Sequence, residues 1–132
     1  MRAALHLASA PAGGYTSVRE ISAALSIPFP FLAKIAQSMA QAGLLRTFRG
    51  PTGGVALARP PNEVRLKEIV LAVDGAELFT ECVLGLPGCG NERPCPLHAE
   101  WAGARSRIES MLAAATLADL ARDTAQRGFR LS

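Results

Sequence analysis

SVREISAALSIPFPFLAKIAQSMAQAGLLRTFRGPTGGVALAR, residues 17–59, holds two helical periods and a hairpin signal in one run. Ser17 followed by Glu20 has the form of a capping box, in which the hydroxyl accepts from a backbone N–H and the carboxylate reaches back to the first residue. Val18, Ile21 and Leu25 supply the apolar stripe of the helix it opens. Ser26-Ile27-Pro28 breaks that helix, and Pro30 fits the first turn of the next, where its missing N–H is harmless. Leu32, Ile35, Ala36 and Met39 form the inner face of the second helix, and Gly43 suits the position just past its end. Leu45–Phe48 and Val55–Ala58 then read as two short strands around Arg49-Gly50-Pro51-Thr52-Gly53-Gly54, a hairpin with a glycine-rich tip.

Two helices joined by a brief turn and followed by such a hairpin predict a winged helix-turn-helix. The outer face of the second helix carries Ala33, Lys34, Gln37, Ser38 and Gln41, groups small or polar enough to enter a major groove. Arg49 at the hairpin tip can enter a minor groove or clamp a phosphate. Helical hairpins also occur in proteins that never touch DNA, and wing glycines can serve only to allow positive φ. The wing beside the helix-turn-helix favours DNA, and charge is compatible with it, though an ordinary solvated basic face would look the same: residues 1–65 carry a net +5 and residues 66–132 a net −2, of a total of +3. A basic first half joined to a mildly acidic second half points to a polyanion meeting the first.

At 132 residues the chain suffices for one domain and an appendage. Its 49% hydrophobic and 19% charged residues exclude a disordered tail, and 5% aromatic content leaves the core to aliphatic side chains. No apolar run approaches the ~20 residues of a bilayer span, so the expectation is a cytoplasmic protein without a membrane partner. Upstream of the central stretch, Met1, Ala4, Leu5 and Ala8 recur at helical spacing up to the Pro11–Gly14 breaker. Downstream, Leu66, Ile69, Val70 and Val73 mark a helix that ends before Gly75. Trp101, Ala104, Ile108, Met111, Leu112 and Ala115 mark a long helix whose stripe is most economically buried against a symmetry mate, although packing on its own domain is possible. Thr116 with Asp119 resembles a further helix start, and Leu117 and Leu120 suggest a short last helix before the Arg127–Ser132 tail.

All three cysteines fall between these helices, as Cys82-x6-Cys89-x5-Cys95-x2-His98, in a loop rich in proline and glycine. Three thiols cannot all pair within one chain, and a reducing compartment disfavours stable disulfides. Thiolates favour zinc or iron–sulphur clusters, and His98 could supply a fourth, nitrogen donor. Structural zinc sites usually draw on close cysteine pairs, whereas these wider intervals suit a bulkier cluster. No C-x-x-C pair and no base–nucleophile set is present, so catalysis and a small-molecule substrate are not expected.

In this order the motifs resemble the winged-helix bacterial transcription regulators of the IscR, NsrR and CymR types. The likeness rests on Ile27-Pro28 with Phe31-Leu32-Ala33-Lys34-Ile35, on Ala42-Gly43-Leu44-Leu45, on Arg49 to Gly54 with Leu57-Ala58-Arg59-Pro60, and on Ala72-Val73-Asp74-Gly75. The resemblance implies a homodimer on a double-stranded operator, with Arg49 reaching the minor groove. It further implies that Cys82, Cys89, Cys95 and His98 hold a cluster, 2Fe–2S as in the IscR type or 4Fe–4S as in the NsrR type. Two departures are visible: the first cysteine interval is one residue longer than in those types, and Thr52 replaces a frequent wing glycine. Family members also carry further residues ahead of Met1, so the start falls inside the first helix.

The expected architecture is mainly α (α+β): a winged helix-turn-helix DNA-binding domain at 1–75, a cysteine-containing cluster-binding loop at 76–98, and a dimerisation helix with C-terminal tail at 99–132. The expected DNA contacts are Ser17, Pro28, Lys34, Gln37, Arg46, Arg49, Gly50, Thr52 and Gly53. The expected function is a repressor that senses iron–sulphur status, redox or nitric oxide through its cluster. A zinc-stapled protein-interaction module and a cluster-free regulator that senses through cysteine oxidation are the alternatives.

Overall fold

The Ser17–Glu20 box forms in the structure, a computed structural model that describes residues 1–131. The Glu20 N–H donates to Ser17 Oγ at 3.2 Å, and the Ser17 N–H donates to the Glu20 carboxylate at 3.0 Å. It starts α2 (Val18–Leu25), which follows α1 (Arg2–Ala8). Ser26 closes α2 in the left-handed region at φ 52°, and the Ser22 hydroxyl donates to the Ile27 carbonyl at 2.6 Å. These two residues make the tight turn into α3 (Phe29–Gln41), with Pro30 in its first turn.

Leu32 and Met39 of α3, Ile21 and Leu25 of α2, and Ala4 and Leu7 of α1 are buried together. Helices α2 and α3 pack by the faces their apolar spacing predicts, whereas in α1 Leu7, outside the expected stripe, is buried and Met1, within it, is exposed. Behind α3, β1 (Leu45–Phe48) pairs antiparallel with β2 (Gly54–Leu57), in a register that sets Leu45 against Leu57 and Phe48 against Gly54. The second strand therefore begins and ends one residue earlier than expected. Its start is recruited from the other side as well: Thr16 and Val55 exchange two backbone hydrogen bonds of 2.9 Å each. A Cβ at Gly54 would run into the Thr16 carbonyl, so only glycine lets the segment before α2 close on the hairpin.

A 3-10 turn at Pro61–Glu63 leads into α4 (Leu66–Asp74), then α5 (Glu77–Thr80), α6 (His98–Ala114) and α7 (Leu117–Arg127). The 3-10 turn and the four-residue α5 fall where only loop was expected, because one turn is too short to write a period. The last two helices are tied to the first half through the backbone: the Leu66 N–H donates to the Ala115 carbonyl at 3.1 Å, and the Leu117 N–H to that of Val64 at 3.0 Å. Lys67 of α4 reaches Glu109 of α6 at 2.6 Å.

The stripe expected of α6 divides. Leu112 is buried and Ile108 packs beside it against the chain's own core, whereas Met111 is 61% exposed. Thr116 caps α7 as expected, its hydroxyl accepting from the Asp119 N–H at 3.1 Å. Among the described residues no helix is long and apolar enough to cross a membrane. Ser132, the last residue of the expected tail, lies outside them.

Candidate nucleic-acid interface and metal centre

The residues expected to meet DNA lie on α3, on its N-terminal turn, on the hairpin and at the head of α2. Lys34 and Gln37 are exposed on α3, and Pro28 is exposed at its N-cap. Arg46, Arg49, Gly50 and Thr52 are exposed along the hairpin, with Gly53 half-buried behind them. Among the described residues Lys34, Gln37 and Arg49 have no intramolecular side-chain hydrogen bond or ion pair, so their polar groups are free for a ligand. Arg46 lies 5.9 Å from the centre of the Tyr15 ring, which stacks on Phe48 with centroids 5.4 Å apart. Ser17 is half-buried and accepts the capping N–H, which leaves its own hydroxyl hydrogen to donate elsewhere. Tyr15 was not foreseen as a neighbour of Arg46, since nothing in its sequence surroundings distinguishes it.

The second site is assembled by α6. The Trp101 indole N–H and the Arg105 guanidinium both donate to the Glu81 carbonyl, at 2.8 and 2.9 Å. They hold the chain just after α5 against the start of α6, and Cys82 follows immediately. Gly88, at φ +68°, turns the loop ahead of Cys89, and the His98 N–H donates to the Cys95 carbonyl at 3.0 Å where α6 begins. The three Sγ atoms thereby lie within 4.8 Å of one another, although six and five residues separate them in sequence. The Cys82 thiol meets that of Cys95 in hydrogen-bond geometry, Sγ to Sγ 3.6 Å. His98 brings Nδ1 to 3.4 Å from Cys89 Sγ, while its Nε2 lies 3.2 Å from Asn91 Oδ1. All three thiols are half-buried.

The thiols are not equivalent. The Leu86 N–H, with help from that of Leu84, stabilises the Cys82 thiolate and brings its pKa down to about 7. Desolvation pushes Cys95 up, and the neighbouring thiols Cys82 and Cys89 push it further. One sulphur is thus ready to ionise near neutrality and another resists until an electrophile or a metal ion takes its proton's place. Three soft donors in so small a volume, with an imidazole beside them, match the donor chemistry of a thiolate-bound metal centre. Of the residues that shape the site, Trp101 was read only as part of the long helix's apolar stripe, Arg105 was not singled out, and Asn91 was read as loop.

A helix-turn-helix with a glycine-tipped hairpin, carrying free polar groups on both, defines a winged-helix DNA-binding protein. Comparison with known proteins places it more narrowly. Residues 1–123 match the Rrf2 family, described as iron-dependent transcriptional regulators, and the chain belongs to that family. The HTH-type transcriptional regulator IscR of Aliivibrio salmonicida is 32% identical over 117 residues, 89% of this chain and 67% of the relative. The solved structure of IscR from T. potens superposes with a TM-score of 0.75 at 25% identity, covering 98% of this chain and 85% of that one. CymR, the global cysteine regulator of B. subtilis, has the same fold, with a TM-score of 0.74 at 23% identity over 92% of this chain and 88% of its own. The chain is a transcription regulator and not an enzyme.

Proposed function

We propose that this regulator is a homodimeric, cytoplasmic repressor whose grip on operator DNA depends on an iron–sulphur cluster held by Cys82, Cys89, Cys95 and His98, with 2Fe–2S the favoured type. The convergence of three thiols within 4.8 Å, in the segment that joins α5 to α6, carries the reading. The family's description as iron-dependent supports it. When bound, such a cluster supplies a redox couple and iron–thiolate bonds that a chemical signal can break.

The protein's own part is mechanical. Glu81 is pinned by Trp101 and Arg105, so Cys82 rides on the end of α5 while Cys95 and His98 ride on the start of α6. Holding the four donors together locks these two elements, and α6 is in turn joined to α4 through Lys67 and Glu109. Releasing them frees the loop and shifts α6 relative to the reading head, and in a dimer that changes the separation of the two recognition helices. Lys34 and Gln37 face the major groove, with Pro28 and Ser17 at the helix heads near the backbone. Arg46, Arg49, Gly50, Thr52 and Gly53 bring the wing to the adjacent phosphates and minor groove.

Protein purified without oxygen is expected to be coloured, to contain iron and acid-labile sulphide, and to bind its promoter with an affinity that changes in Cys89→Ala at fixed salt. Colourless protein lacking both elements, yet fully competent for its promoter, would overturn the reading. A second reading has its own support in the compactness of the thiols: thiolates placed tetrahedrally about one zinc at ~2.3 Å would lie roughly 3.8 Å apart. Colourless protein with one zinc per chain, unfolding on chelation, would establish it instead.

A further inference from the structure

His98 has two ring nitrogens, and the structure gives each a different neighbour. Nδ1 faces Cys89 Sγ at 3.4 Å, and Nε2 faces Asn91 Oδ1 at 3.2 Å. An amide oxygen only accepts, so the nitrogen beside it carries the proton, and the other is left with a lone pair on the side of the sulphurs. A thiol can donate weakly to that lone pair, which agrees with the Cys89 contact. Asn91 itself belongs to the glycine- and proline-rich loop, but its partner stands in the first turn of α6, whose start is fixed by the bond from the His98 N–H to the Cys95 carbonyl.

We infer that Asn91 is the positioning residue of the centre: its side-chain oxygen selects the Nε2–H tautomer of His98 and so makes Nδ1 the fourth donor. This rests on the proposed role of His98 as a ligand. Its distinctive content is the identity of the ligating atom and of the group that selects it. Metal-bound imidazoles are commonly held in this way by an acceptor on the far nitrogen, and loss of that acceptor costs roughly 10–100-fold in metal affinity.

The tautomer can be read without any metal. In metal-free protein at a pH where the imidazole is neutral, ring nitrogen shifts of His98 should show protonated Nε2 and bare Nδ1. Asn91→Ala should give a mixture of tautomers, and Asn91→Asp, which keeps an acceptor oxygen, should restore the single form. Cobalt(II), whose thiolate charge-transfer bands report binding directly, then tests the consequence. Asn91→Ala should bind it about tenfold or more weakly, with Asn91→Asp close to wild type.

A protonated Nδ1 in the wild type, or an Asn91→Ala variant with the same tautomer and the same cobalt affinity, would overturn the inference. Wild-type protein that takes up neither cobalt nor a reconstituted cluster would instead sink the metal centre itself, leaving the tautomer result to stand or fall alone. Far-ultraviolet circular dichroism of each variant separates a lost ligand from a lost fold.

Discussion

Among single residues, Cys82 and Arg49 have the most direct consequences. The backbone N–H groups of Leu86 and Leu84 favour the Cys82 thiolate, while burial of Cys95 opposes its ionisation. In metal-free protein, alkylation by iodoacetamide should therefore begin at Cys82 and rise with pH to half its limiting rate at about 7, well before Cys95 reacts. Peptide mapping across a pH series measures this, and equal reactivity of the two thiols would contradict the assignment. Arg49 stands exposed at the hairpin tip. If it meets a phosphate, Arg49→Ala weakens binding to a mixed-sequence duplex and lowers the salt slope by about 1. An unchanged slope would remove it from the backbone contacts. Both residues were singled out in the sequence by residue type and local order alone. The inequality between Cys82 and Cys95 could not be read there, since it comes from which backbone N–H groups the folded loop turns toward each sulphur.

At the scale of elements, the wing and the α7 cap each hang on a contact that local sequence only half reveals. The hairpin was visible in its two short strands and glycine tip, but the Thr16 to Val55 bridge that joins its second strand to the segment before α2 is a pairing across 39 positions that no local pattern encodes. Because a Cβ at Gly54 collides with the Thr16 carbonyl, Gly54→Ala should force the bridge apart and cost about 1–3 kcal/mol in chemical denaturation. A loss no larger than that of an exposed-loop substitution would show that the hairpin tolerates the shift. The cap on α7 was legible as Thr116 three residues before Asp119, and the structure adds its energetics. The Thr116 hydroxyl donates to the Asp119 carboxylate at 2.8 Å, helped by the Thr116 N–H and by Arg122, and together they hold this carboxyl below its ordinary range. A folded-state pKa below the unfolded one stabilises the protein at neutral pH, and that contribution is lost as pH falls through the folded value. Asp119→Asn should lower the melting temperature at neutral pH and flatten its fall on acidification; parallel curves for the two proteins would assign the acid lability elsewhere.

For the whole molecule, the unsettled surface is the outer side of α6. Periodicity alone gave one stripe and could not say how much of it the chain's own core would take, because that depends on where α4 passes. The structure answers by turning Ile108 and Leu112 inward while Ala104, Arg107 and Met111, at helical spacing, remain exposed. Val83, Leu84, Leu86 and Leu97 are exposed as well, on the loop and at the head of the same helix. Single exposed apolar side chains are ordinary, but Met111 together with the apolar groups of the adjoining loop is the face on which the proposed dimer contact would fall. A two-fold partner would cover it economically, since each copy offers the other the same face. The proposed switch needs that partner too, because a shift of α6 matters to DNA only when two reading heads are held at a set distance. Met111→Asp places an unpaired carboxylate on this face without touching the buried Leu112. It should leave the helical content unchanged, convert a dimer to a monomer in sedimentation velocity, and weaken operator binding while sparing cobalt uptake at the cysteines. A Met111→Asp protein that stays dimeric at the same concentration would place the two-fold contact on another surface and detach α6 from the spacing of the recognition helices.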